Sequence, residues 1–139
     1  MNGRITPQGA KNEALEVLCA VLLTPEKVTV SNIPNILDVM KLIELLGKMG
    51  VDVEKIDRHT YSFQARRIDW DYMESIDYQK DMSKLRGAIM VLGPLLARFG
   101  RGYAPKPGGD KIGRRRLDTH FIGFEKLGAR FRYDADTSF

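Results

Sequence analysis

Cysteine, histidine and tryptophan are scarce in this chain of 139 residues, which holds one, two and one of them. A single cysteine excludes an intramolecular disulfide framework, and that fits a reducing compartment. Cys19 lies within the apolar stretch "EVLCAVLL". An apolar setting raises a thiol's pKa, so Cys19 reads as a small buried hydrophobe and not as a nucleophile. His120 has no second His or Cys at metal spacing, which argues against a zinc site. No apolar run reaches the roughly 20 residues that a membrane-spanning helix needs, and no basic-then-apolar leader opens the chain. The expectation is a soluble cytoplasmic protein that has no membrane partner. Also missing are GxxxxGK[ST] and the glycine spacing of a dinucleotide fingerprint, which excludes a Walker loop and a Rossmann phosphate turn.

What is present points to one folded domain. Hydrophobic residues make up 43% and charged residues 29%, enough for a single core and too apolar for a disordered chain. The net charge of +4 suits nucleic acid or small phosphorylated ligands and does not choose between them.

Along the chain, "GRITPQG" reads as a short strand and turn, and residues 11–23 as a helix buried on most sides. "EKVTVSNI" reads as a strand. A helix follows Pro34 and stops at Gly50, with Val39, Leu42, Ile43 and Leu46 as its apolar stripe. "VDVEKI" and "TYSFQA" alternate around "DRH" as a β-hairpin. Residues 66–80 read as a polar connection, and 82–99 as an apolar helix that Pro94 kinks. "RGYAPKP" is a candidate strand, "GGDKIG" a loop, "RRLDTHFIGFEKLG" a helix and "ARFRYDADTSF" a second hairpin.

The chain also repeats itself. Residues 48–63 and 126–139 share Lys-x-Gly, an alternating strand, a charged turn and a Ser-Phe ending, each after a helix, a strand and a helix. The order βαβαββ, twice, predicts an α/β fold with mixed sheets around buried helices. Unit one would span about 1–66, the connection about 67–80 and unit two about 81–139.

Three stretches carry chemistry. In "QGAKNEAL" a Gly9–Ala10 turn precedes a helix with Lys11 and Asn12 in its first turn. A cation there opposes the helix macrodipole. Lys11 is therefore either a plain exposed lysine or, with the helix N–H groups, part of an anion site. Arg86 starts a strongly apolar segment and must be paired to an acid or face a cleft. In "KPGGDKIGRRRLDTH", Gly108 and Gly109 permit close backbone approach around Asp110. Arg114, Arg115 and Arg116 there offer guanidinium forks for phosphate or carboxylate. A solvated charged loop is the alternative.

"GAKNEAL", "RGAIMVLGPLLARFG" and "KPGGDKIGRRRLDTH", taken in order, closely resemble the N-terminal part of the UDP-N-acetylglucosamine 1-carboxyvinyltransferases, the enolpyruvyl transferases of peptidoglycan synthesis. The resemblance covers almost the whole chain. It implies an inside-out α/β barrel type of domain, built from three βαβαββ units, of which about two are present. The chain would be a piece of a longer enzyme and inactive by itself.

The implied reaction moves the enolpyruvyl group of phosphoenolpyruvate to the 3-hydroxyl of UDP-N-acetylglucosamine, with release of phosphate, through a tetrahedral intermediate. By motif position Lys11, Asn12 and Arg115 would bind phosphoenolpyruvate. Asn12, Arg86, Arg115, Arg116, Leu117, Asp118, Thr119 and His120 would line the UDP-sugar site. Asp110 stands where many members carry the cysteine of "PGGC", the general acid that fosfomycin alkylates. An aspartate can donate the proton while removing the drug's thiolate. Arg116 replaces the usual proline. No cofactor and no metal are implied, and the partners are the two substrates and the rest of the same enzyme. Other readings are a non-catalytic phosphate- or nucleotide-sugar-binding module and a 3-phosphoshikimate 1-carboxyvinyltransferase relative. A nucleic-acid binder using "RRR" is the weakest, because aromatics do not interleave the short basic run.

Overall fold

Helix α2 (Leu37–Lys48) shows most directly how pattern becomes structure. Its stripe of Val39, Leu42, Ile43 and Leu46, joined by Leu45, is buried, and Asp38 and Lys48 complement the two ends of its dipole. Gly50 follows at φ +97°, in the left-handed region. Its N–H donates to Gly47 O at 3.1 Å, and the Val51 N–H donates to Leu46 O at 3.1 Å, closing the helix as a glycine C-cap. The chain is a computed structural model that describes residues 2–104 and 118–132, the side chains of Arg86 and Asp118 excepted.

The Gly50 turn leads into β2 (Asp52–Lys55) and β3 (Tyr61–Gln64), the expected hairpin. Strand β1 (Lys27–Val30) pairs with the other edge of β3, giving the order β1-β3-β2. Both pairings are antiparallel, with Val28 and Val53 flanking Phe63 and Val30 flanking Tyr61. These residues form the inner face, on which Phe63 is fully buried. Burying a side chain of that size stabilises the fold by roughly 1.5–3 kcal/mol. The fold is thus α/β, but the described sheet is antiparallel throughout and not mixed. The reason lies at the N-terminus: residues 2–10 take no strand conformation and are largely exposed, Ile5 at 92%.

Helix α1 (Lys11–Ala20) continues as a 3-10 turn over Val21–Leu23. It buries one stripe (Leu15, Leu18, Cys19, Val21, Leu22) and leaves Glu16, Val17 and Ala20 outward, so it is one-sided where burial on most sides was expected. Burial, and then the nearby Glu16 charge, push the Cys19 thiol up to about 12, consistent with an inert packing role.

The segment expected to be a polar connection is helical. Asp69 accepts the Tyr72 N–H at 3.0 Å and starts α3 (Trp70–Met73). Ser75 accepts the Tyr78 N–H at 3.2 Å and starts α4 (Ile76–Ser83). Both are N-caps of ordinary type. The pair brackets the core: Met73, Tyr78 and Met82 are buried, and Tyr78 Oη donates to Tyr103 O at 3.0 Å.

The single helix expected over 82–99 is three pieces. The end of α4 is followed by a 3-10 segment, Arg86–Val91, and then α5 (Leu92–Phe99). Pro94 does not kink a long helix, because it lies in the first turn of α5, where a missing N–H costs little. Arg98 Nη1 donates to Leu22 O at 3.0 Å and to Ala65 O at 2.6 Å, tying α5 to the ends of α1's 3-10 turn and of β3.

Helix α6 (Asp118–Lys126) ends as α2 does: Gly128 has φ +96°, its N–H donates to Glu125 O at 2.9 Å, and the Ala129 N–H donates to Phe124 O at 2.9 Å. The Lys-x-Gly repeat therefore marks the same helix-ending device twice. Residues 101–104 and 129–132 form no strand, and the remainders of those two expected strand segments lie outside the described residues.

The α3–α4 bracket is locked to α2 through Asp81. Its Oδ2 takes Lys48 Nζ at 2.8 Å and Tyr72 Oη at 3.0 Å, and its Oδ1 takes Lys84 Nζ at 3.1 Å. Lys48 foremost, then Lys84 and Tyr72, holds the Asp81 carboxyl down to about 2. A carboxyl depressed below its unfolded value of about 3.9 stabilises the fold above that pH, and the contribution disappears as pH falls through the folded value. The gap in thermal midpoint between the native protein and Asp81→Asn is therefore expected to be steady above about pH 5 and to close between about pH 4 and pH 2. A gap independent of pH would show that the carboxylate's charge is not what locks the bracket.

Candidate active site

The first turn of α1 rests on a neighbouring loop. Ala10 is the extended N-cap, and its side chain offers no oxygen to the first N–H groups of the helix. Gly9, just before it, is pressed against the loop between β1 and α2. A Cβ at Gly9 would overlap the Asn32 carbonyl oxygen and come within 3.3 Å of Pro34 Cδ. Asn32 itself has φ +57°, the only non-glycine residue in the left-handed region among the described residues. Asparagine adopts that region more readily than most side chains.

Lys11 and Asn12 follow, both exposed. Lys11 Nζ stands 2.8 Å from Asp38 Oδ2, in the first turn of α2. The acid offsets the cost of a cation at a helix N-terminus and links the starts of α1 and α2. Both side chains remain nearly half exposed (49% and 42%), so the pair contributes little to stability by itself.

Arg86 begins its 3-10 segment beside the same helix. A Cβ at the next residue, Gly87, would stand 2.9 Å from Leu15 Cδ1, and Leu15 is one turn beyond Lys11 on the same face of α1. The structure thus sets the segment that Arg86 opens against α1 at Leu15, one turn from Lys11. Asp118 opens α6, and Thr119 and His120 stand exposed in its first turn. Asp110, Arg114, Arg115, Arg116 and Leu117 lie outside the described residues. Among the described residues no cluster of three His, Cys, Asp or Glu is placed to hold a metal ion, and no helix is long and apolar enough to cross a membrane.

Sequence reasoning missed Asn32 and Asp38. A signal for Asp38 existed, since an acid in the first turn of a predicted helix is expected, but its pairing with Lys11 spans 27 positions. An asparagine in the loop "SNIPN" suits a left-handed residue, but the meeting of Asn32 with Gly9 spans 23 positions and leaves no local mark.

A helix start without an N-cap side chain, an adjacent lysine and a glycine-permitted close approach meet at one corner, an arrangement whose chemistry suits an anion. Residues 1–138 match the family described as EPSP synthase (3-phosphoshikimate 1-carboxyvinyltransferase), and the chain belongs to that family. Within it, the chain is similar to proteins named UDP-N-acetylglucosamine 1-carboxyvinyltransferase. The one from Bacteroides thetaiotaomicron is 59% identical over 134 residues, 96% of this chain and 31% of that protein. Those from Porphyromonas gingivalis (52% over 136 residues, 98% and 31%) and Bradyrhizobium diazoefficiens (42% over 131 residues, 94% and 29%) are also similar. The chain spans about a third of the length of these curated relatives.

The seat of Gly9 gives a direct test of this corner. Gly9→Ala should lower stability by about 1–3 kcal/mol, the usual cost of forcing a methyl into packed backbone. Gly3→Ala, with nothing within 4 Å of its Cβ, should leave the thermal midpoint unchanged. Equal midpoints for the two variants would mean that Gly9 is not seated on Asn32.

Proposed function

We propose that the full-length protein transfers the enolpyruvyl group of phosphoenolpyruvate to the 3-hydroxyl of UDP-N-acetylglucosamine and releases phosphate. This is the first committed step of peptidoglycan synthesis, carried out in the cytoplasm. The observation that carries the reading is the joint one of 59% identity to a relative of that name and a lysine at the start of a helix whose N-cap is an alanine. On this reading residues 1–66 and 81–139 are two repeat units of an inside-out α/β barrel type of domain, joined through residues 67–80, with residues 2–10 outside the sheet of the first unit.

Both substrates are polyanions, and the assigned groups suit them. Lys11 and the first-turn N–H groups of α1 receive phosphoenolpyruvate, with Asn12 hydrogen-bonding it and the sugar. Arg115 holds phosphate or carboxylate in a bidentate fork. Arg86, Arg116, Leu117, Asp118, Thr119 and His120 line the UDP-sugar. Cations fixed where charge develops lower the barrier to the tetrahedral intermediate.

Asp110 donates the proton to the methylene carbon of phosphoenolpyruvate. Neighbouring arginines favour its carboxylate form and oppose this role. Two bound anions neutralise those arginines, and closure of the site expels water, so Asp110 becomes a competent acid in the liganded enzyme.

Phosphate release by the full-length protein should require both substrates, and the 139 residues alone should release none. Asp110→Asn should cut turnover by about 10²–10⁴-fold, the range of a positioned general acid. Asp110→Cys should remain active and become sensitive to alkylation by fosfomycin. Phosphate release without UDP-N-acetylglucosamine, or an Asp110 pKa that both substrates leave unmoved, would refute the assignment.

A further inference from the structure

Asp57, Arg58 and His59 form the tip of the β2–β3 hairpin, a charged turn that the proposed reaction does not use. His59 is half-buried there and holds Ile33, the residue after Asn32, at two points. The Ile33 N–H donates to His59 O at 2.8 Å, and His59 Nδ1 stands 2.8 Å from Ile33 O. A carbonyl oxygen only accepts, so Nδ1 carries the proton in this contact. The hairpin tip is itself tied down, since the His59 N–H donates to Asp57 Oδ1 at 2.7 Å. Ile33 is buried, and Asn32 beside it is the left-handed residue whose carbonyl meets Gly9.

We propose that His59 is a positioning residue for the substrate-binding end of α1. By clasping Ile33 through both its N–H and its carbonyl, it fixes Asn32 in the left-handed region. The Asn32 carbonyl then seats Gly9 and sets where Lys11 and Asn12 stand. This inference rests on the reading of Lys11 and Asn12 as substrate groups. The body of α1 is held independently by Leu15, Leu18 and Cys19 in the core, so loss of the imidazole acts on the first turn more than on the helix.

The test uses the full-length protein with phosphoenolpyruvate and UDP-N-acetylglucosamine, comparing His59→Ala and His59→Asn. The asparagine amide carries a donor on Cγ, where the imidazole carries Nδ1. His59→Ala should raise KM for phosphoenolpyruvate about tenfold while kcat stays within about threefold, because binding groups are displaced without loss of the acid. His59→Asn should stay within about twofold of the native KM. Should His59→Ala unfold at the assay temperature, His59→Asn alone decides: a KM within about twofold supports the proposal and a tenfold rise overturns it. An active native protein whose KM is unchanged in a folded His59→Ala overturns the positioning role alone. A native protein that turns over neither substrate overturns the parent reading and this one with it.

Discussion

The contact between the Asn32 carbonyl and the backbone of Gly9 is the constraint on which the start of α1, the proposed functional end, depends. It is possible only because Gly9 has no Cβ and because Asn32 accepts a positive φ. From this one seat the chain runs in two directions. Backward, it fixes the turn that opens α1. Forward, through buried Ile33 and Pro34, it fixes the start of α2 and therefore Asp38, which returns to Lys11. Two helix N-termini and one ammonium are registered by a loop of a few residues.

The electrostatic arrangement follows from that geometry. A lysine at a helix start is unfavourable alone, and Asp38 offsets the cost without burying either charge. Exposure of the pair leaves the ammonium able to exchange part of its attention from carboxylate to an incoming anion. In the proposed reaction this matters, because the substrates bring most of the negative charge with them. On the proposed reading the same logic would make Asp110 an acid only when those anions are present, whereas Asp81 in its lysine network stays ionised for structural reasons.

Periodicity made the stripe of α2 and the β2–β3 hairpin legible in the sequence, since both bury one face against a core. It failed for α3 and α4, where the polar composition of 66–80 hid two short helices. Their N-caps, Asp69 and Ser75, were readable signals, but Tyr78 and Met82 are too few for a visible stripe. Pro94 misled because a proline inside an apolar run looks like a kink when it opens a helix. The strand expected near residues 2–10 does not form, and no local pattern reports whether a segment joins a sheet. At the site, family likeness singled out Lys11 and Asn12, while Asp38, Asn32 and His59 act through contacts across tens of residues and leave no local trace. Arg114, Arg115 and Arg116 stood out by their chemistry as forks for anions, while the roles proposed for them and for Asp110 rest on resemblance, because a glycine-rich basic loop has no periodicity to read.

Amide hydrogen exchange over residues 9–13 of the full-length protein, with and without phosphoenolpyruvate and UDP-N-acetylglucosamine, tests the central claim most directly. The account predicts slowed exchange at the first turn of α1 when the substrates bind, with the buried body of the helix unchanged. Turnover accompanied by unaltered exchange at those residues would contradict it.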